Sequence, residues 1–167
     1  MPPEWLWRIP LNLIYRHTYN KAVGRDLVVA IIMVESSGFP FTSRYEPAWK
    51  YFKDVEAFAR RNHITQETEK IHQATSWGPM QIMGSVAREL GYYGHLNRLA
   101  EVDNGIRWGV AKLDACLKRW DTVEDAISAY NQGGPYTNED GEYRNQDYVD
   151  KVHNYLSQLR GGRYERA

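Results

Sequence analysis

Glu35 stands at the end of an apolar run, Leu27-Val28-Val29-Ala30-Ile31-Ile32-Met33-Val34, and is followed by Ser36-Ser37-Gly38. A carboxyl group placed directly after such a run is expected to be partly desolvated. Desolvation disfavours the charged form and raises the pKa. A carboxyl group that keeps its proton near neutral pH is a general acid. The same position also reads as an ordinary surface glutamate solvating a helix end, so Glu35 taken alone decides nothing.

Two further segments carry residues with chemical use. In Ser76-Trp77-Gly78-Pro79-Met80-Gln81-Ile82, Gly and Pro predict a tight turn entering a helix. Gln81 then lies near the helix start, where its amide can both donate and accept. In Ala129-Tyr130-Asn131-Gln132-Gly133-Gly134, a Tyr and an Asn end a helix beside two glycines. Each segment also has a plain reading, as a helix entry and as a helix stop. The five histidines, His17, His63, His72, His95 and His153, show no HExxH-type spacing. They read as structural or solvent-facing, and no metal site is expected. Cys116 reads as a buried, inert thiol. A single cysteine makes neither an intramolecular disulfide nor a multi-thiolate zinc site, so folding does not call for an oxidising compartment.

The elements that must hold these residues read as mainly α, with seven or eight helices. The run 27–34 suits either a buried strand, by its β-branched content, or a buried helix. Asp26 is a candidate cap, and Ser36-Ser37-Gly38-Phe39-Pro40 ends the element. Residues 41–52 read as an irregular loop. Helices are expected over 53–62, over 65–73 with Thr65 as cap, and from Met80 to Leu90, stopped by Gly91. Residues 103–120 carry Ile106, Val110, Leu113 and Leu117 at helical spacing. Thr122-Val123-Glu124-Asp125 resembles a capping box opening a helix to Tyr130. Residues 136–143 form a polar loop with room for one small hairpin. Tyr148, Val149, Val152, Tyr155, Leu156 and Leu159 make a last amphipathic helix, which Gly161-Gly162 stops. Trp5, Leu6, Ile9, Leu11, Leu13 and Ile14 make the first 20 residues too apolar for a floppy arm.

Composition narrows the function. The chain has 167 residues, the length of one domain. Lys+Arg and Asp+Glu number 21 each, for zero net charge. Proteins that hold nucleic acid through bulk charge are strongly basic, and polybasic membrane binders are excluded on the same ground. The longest apolar run has eight residues, where a spanning helix needs about 20. Neither a signal peptide nor a membrane insertion is read from the chain. The aromatic share is 13%, with 6 Trp, 12 Tyr and 4 Phe. Such residues stack on flat apolar faces, which sugar rings offer and which a core also uses.

The order of the three segments is similar to that of the soluble-type lytic transglycosylases, a family of the lysozyme-like α+β superfamily related in fold to goose-type lysozyme. Its blocks are matched by Glu35-Ser36-Ser37-Gly38, by Gly78-Pro79-Met80-Gln81-Ile82-Met83 and by Ala129-Tyr130-Asn131-Gln132-Gly133. A fourth feature, a Tyr-Val pair in the last helix, is matched by Tyr148-Val149-Asp150-Lys151-Val152. The resemblance spans roughly residues 24–156. It selects helix over strand for 27–34, because the family's catalytic Glu ends a helix. Two departures stand out. Pro79 replaces a Leu, and the stretch between the first two blocks is longer than in compact members. That stretch, an insertion at about 44–73 within a single domain, is either a lid or cleft wall or a structural appendage.

The resemblance implies a compact helical domain with an active-site cleft. It implies cleavage of the MurNAc-β-1,4-GlcNAc bond of bacterial peptidoglycan, with 1,6-anhydro ends and no cofactor. Glu35 is then the acid and base. Ser36 is a structural or oxyanion-side partner. Met80 and Gln81 line the cleft, with Gln81 on an N-acetyl or hydroxyl group. Tyr130 sits close to the Glu35 carboxyl, Asn131 contacts sugar or holds its loop, and Tyr148 approaches from the last helix. Ser43 lies near the family's cleft serine. Trp77 is the best sugar platform among Trp5, Trp7, Trp49, Trp77, Trp108 and Trp120, the others reading as core.

Most glycosidases use two carboxylates, and the blocks supply one. Glu46 is the rival second carboxylate. With it the enzyme is an inverting hydrolase, a muramidase; without it Glu46 reads as a salt bridge to Arg44. A third reading is an inactive wall-binding virion module, against which the intact Glu35 argues. The expected partner is the glycan strand alone, met by a monomer. The expected setting is a phage-encoded lysis or virion enzyme, or an excised or mature periplasmic domain.

Overall fold

A computed structural model of the chain describes residues 9–161. Trp5, Leu6, Trp7 and Gly162 lie outside the described residues. Eight α-helices and three short strands are seen among those described: α1 (Leu11–Thr18), α2 (Arg25–Ser36), β1 (Ser43–Tyr45), α3 (Val55–Asn62), α4 (Gln66–Gln73), β2 (Thr75–Trp77), β3 (Ile82–Met83), α5 (Gly84–Glu89), α6 (Val102–Arg119), α7 (Val123–Gln132) and α8 (Gln146–Gly161), with a 3-10 turn at Leu96–Ala100 before α6. This is the mainly helical, lysozyme-like architecture that the sequence predicts. The chain falls into two compact units. One joins the stretch up to Gly38 to that from Leu113 onward, and the other is Phe39–Lys112. No described helix is long and apolar enough to cross a membrane.

In the first unit α2 packs on α1 and α8, and α8 packs on α7. Every residue of α2 from Leu27 to Met33 is buried, and a helix apolar all round is one enclosed by neighbours. Its five β-branched residues cost helix propensity. Each fully buried large side chain returns about 1.5–3 kcal/mol, and that outweighs the local preference for strand. The N-cap of α2 is Gly24, with no side-chain cap. Asp26 therefore does not cap; it lies in the first turn, where its charge favours the helix N-terminus. The helix stops because Ser37 turns left-handed at φ 52° and Gly38 follows at φ 82°. α8 buries Val149, Val152, Leu156 and Leu159, the stripe expected of it. Thr122 caps α7, its Oγ1 accepting from the Asp125 amide at 3.0 Å.

In the second unit β2 is the central strand, antiparallel to β1 and β3. Residues 41–52 are therefore not wholly irregular, since Ser43, Arg44 and Tyr45 pair with Trp77, Ser76 and Thr75. The helix expected from Met80 begins only at Gly84, because Ile82 and Met83 pair with Trp77 and Ser76. The hairpin foreseen at 136–143 is a single antiparallel bridge, Thr137 to Tyr143. α4 is capped by Thr65, as expected, with Oγ1 accepting from the Thr68 amide at 3.1 Å.

The 44–73 segment is built into the second unit. Glu69 and Arg88 have fully buried side chains joined by two hydrogen bonds, 2.8 and 2.9 Å. Arg88 also donates to the Tyr92 and Gly94 carbonyls at 2.8 and 2.7 Å, and its guanidinium lies 4.2 Å from the Phe58 ring centroid. Gln73 donates to Glu69 at 2.9 Å and to the Lys53 carbonyl at 2.7 Å, and accepts from the Lys53 amide at 2.7 Å. A buried ion pair holds only when its remaining donors and acceptors are satisfied, and Gln73 and the two carbonyls do that here.

Candidate active site

Glu35 is the next-to-last residue of α2 and is half-buried. Tyr148, in the first turn of α8, donates its hydroxyl to Glu35 Oε1 at 2.7 Å. Tyr130, near the end of α7, is 1% exposed. Burial first, and then the negative charge of Glu35, hold both phenols well above their ordinary pKa of 10.0. Both therefore hold their protons more tightly than an ordinary tyrosine, and Tyr148 serves as a donor to the carboxylate. Three of the four sequence blocks thus converge, bringing Glu35, Tyr130 and Tyr148 together.

Glu35 lines a cavity of about 750 Å³ with Val34, Asn131, Tyr148 and Lys151, within the usual size range of ligand sites. The loop after α7 and the start of α8 complete it, through Asn138 and the stretch from Glu142 to Asp147. This loop is ordered by its own bonds. The Asn138 Oδ1 accepts from the Asp140 and Glu142 amides at 3.1 and 2.9 Å. Tyr143 donates to Asp125 of α7 at 2.7 Å. Asn131 accepts from Asn145 Nδ2 at 3.0 Å. The sequence reading missed Asn138, Glu142, Arg144, Asn145, Asp147 and Lys151. Lys151 lies three positions after Tyr148 on α8, so helical spacing alone marks it as a neighbour. The loop residues carry no such periodicity.

Ser36 is buried and its hydroxyl donates back to the Ile32 carbonyl at 3.1 Å. That bond lies within α2 and makes it a residue of the helix end.

The other candidates belong to the second unit. Gly78-Pro79-Met80-Gln81 is the turn between β2 and β3, closed by the Gln81 amide donating to the Gly78 carbonyl at 3.1 Å. Gly78 and Gln81 have φ of 75° and 46°. Gln81 therefore sits in a hairpin turn and not at a helix start. Its Nε2 donates to the Thr42 and Gly78 carbonyls at 2.8 and 2.9 Å, and its Oε1 accepts from Ser76 at 2.9 Å. Both amide hydrogens are used by the protein, which leaves one lone pair of Oε1 for a substrate. Met80 is fully buried and faces Gly109 so closely that a Cβ there would stand 2.5 Å from its side chain. Trp77 packs on the core of Ile82, Leu96 and Leu99. Its indole N–H donates to the His72 carbonyl at 2.9 Å. Ser43 is exposed on β1. Glu46 forms the salt bridge to Arg44. Among the described residues no group of three or more His, Cys, Asp or Glu is arranged to hold a metal ion.

No curated protein and no solved structure gives a significant match to the chain. The model of one family, the transglycosylase SLT domain, matches residues 12–152, a span that takes in Glu35, the turn at Gln81, Tyr130, Asn131 and Tyr148. The chain therefore belongs to the transglycosylase SLT domain family, whose activity is of the lytic transglycosylase type and is directed at peptidoglycan.

Proposed function

We propose that this protein cleaves the MurNAc-β-1,4-GlcNAc bond of peptidoglycan and leaves 1,6-anhydroMurNAc ends, with Glu35 as both acid and base. The observation that carries the reading is the Tyr148 hydroxyl on Glu35 Oε1 at 2.7 Å, at the rim of a polar cavity. The Tyr148 hydroxyl is a fixed donor to the carboxylate from which the proton leaves and to which it returns.

The steps balance around that one carboxyl group. Protonated Glu35 gives its proton to the glycosidic oxygen, and the bond from that oxygen to MurNAc C1 breaks. The 2-acetamido carbonyl of the same sugar supports the electron-poor C1, the substrate-assisted route open to enzymes with one carboxylate. The Glu35 anion, stabilised by the Tyr148 hydrogen bond, then takes the proton of the C6 hydroxyl as that oxygen closes on C1. No water enters, and Glu35 ends protonated, ready for the next cycle.

A hydrolytic reading draws on Glu142 and Asp147, which line the same cavity as Glu35 and would supply a carboxylate to activate water. Mass spectrometry of the products from purified peptidoglycan separates the two. Anhydro-ended muropeptides from the wild type, reduced about 10²–10⁴-fold in Glu35→Gln, are the expected result. Products one water heavier would replace the proposal with hydrolysis.

A further inference from the structure

Where α7 meets the start of α8, four polar side chains form a hydrogen-bonded relay with a fixed direction. Gln132 Nε2 donates to the Tyr136 carbonyl at 3.1 Å and to Ser128 Oγ at 2.9 Å. Ser128 Oγ, an acceptor there, donates to Asn145 Oδ1 at 2.8 Å. Asn145 Nδ2 donates to the Ser128 main-chain carbonyl at 3.1 Å and to Asn131 Oδ1 at 3.0 Å. A main-chain carbonyl only accepts. The Tyr136 and Ser128 carbonyls therefore forbid turning either the Gln132 or the Asn145 amide end for end. With Asn145 Nδ2 so fixed, Asn131 must offer it the oxygen. Its Nδ2, with two hydrogens, is left for the cavity that Asn131, Asn145 and Glu35 all line.

We infer that Asn131 meets the substrate as a hydrogen-bond donor, and that Asn145 is the positioning residue that holds it in that sense. The ligand group is a neutral acceptor oxygen on the sugar, either an acetamido carbonyl or a hydroxyl. An Asn in the opposite sense would ask for a donor and would reject the acetamido carbonyl. The inference rests on the transglycosylase reading for its substrate and adds which way round this contact is made. Asn145 is suited to the task because it also starts α8, its carbonyl accepting from the Tyr148 and Val149 amides at 2.9 and 3.3 Å. One residue thus ties the orientation of Asn131 to the helix that carries Tyr148.

Asn145→Asp tests this. Aspartate serves at a helix start as well as asparagine does and still accepts from Ser128. It puts an acceptor opposite Asn131, so the Asn131 amide turns and its oxygen faces the cavity. The measurement is kcat and KM for release of anhydro-muropeptides by the wild type, Asn145→Asp, Asn131→Ala and the double variant, with a melting curve for each. The expected result is about a tenfold loss of kcat/KM in each single variant, the worth of one neutral hydrogen bond. The double variant should lose no more than either single one, because Asn145 acts through Asn131. Asn145→Ser, which also keeps a capping side chain and lacks the amide, serves if Asn145→Asp does not fold, with the same expectation. Unchanged kcat/KM in the Asn145 variants overturns the inference. So do losses that add in the double variant, which would mark Asn145 as merely structural. A wild type that releases no anhydro ends overturns the transglycosylase reading itself and this inference with it.

Discussion

The Tyr148 hydroxyl donates to Glu35 Oε1 at 2.7 Å, across 113 positions of sequence. The bond stabilises the carboxylate form, and removing a hydrogen bond to the charged form raises a carboxyl pKa. Activity that needs protonated Glu35 fails as pH rises through that pKa. Tyr148→Phe is therefore expected to move the alkaline limb of the pH–rate profile upward, because the carboxylate form loses its hydrogen bond. A full profile of kcat/KM against pH for both proteins checks this, and a limb that stays in place or moves down refutes it.

Tyr130 and Tyr148 both keep their protons in the folded protein beyond the ordinary pKa of 10.0. The sign follows directly. Above about pH 10 the unfolded chain loses protons that the folded chain retains, so stability is intact below that pH and falls as pH rises further. Each such tyrosine contributes a slope of about 1.4 kcal/mol per pH unit. Denaturant midpoints between pH 9 and 11 should fall in the wild type. Tyr148→Phe should show about half of the decline due to this pair.

The buried Glu69–Arg88 pair predicts a large loss on breaking either side. Glu69→Ala leaves a guanidinium with no solvent and no counter-charge, and such changes cost about 3–5 kcal/mol. Chemical denaturation reads it. A loss under about 1 kcal/mol would show that water reaches Arg88.

Two glycines with positive φ should respond differently to alanine. At Gly78 a Cβ would stand 2.2 Å from the Leu99 carbonyl oxygen, and φ is 75°. Gly78→Ala is expected to cost roughly 2–5 kcal/mol, from strain and overpacking together. At Gly133, φ is 87° with nothing within 4 Å of a Cβ, so Gly133→Ala should cost only the backbone term, about 1–2 kcal/mol. Paired thermal melts decide it, and equal losses would be the wrong result.

How far these features are legible in the amino-acid order depends on their range. Glu35 is legible because its cause is local: seven buried residues precede it in one helix. The caps at Thr65 and Thr122 are legible for the same reason. The turn at Gly78 is legible as a turn, yet the helix drawn through Gln81 is not what forms. Two- and three-residue strands have no period to read, and β2 exists only because β1 and β3 flank it. Trp77 stands inside a matched block and is half-buried; its packing partners Leu96 and Leu99 lie about twenty positions away, so that packing is a tertiary fact. Asn145 has no local mark at all. Its partners are Ser128 and Asn131, on another helix.

The Gln73–Glu69–Arg88 arrangement also bears on whether the stretch 44–73 can be removed. Extra length between two blocks invites removal, as a surface loop can be trimmed. Here such trimming would delete the first strand of the sheet and the anion that neutralises Arg88, while leaving Arg88 behind. A shortened version would need a compensating change at position 88 before it could fold. Residues 44–73 and Arg88 are thus one structural unit, and the stretch cannot be cut away without stranding a buried cation.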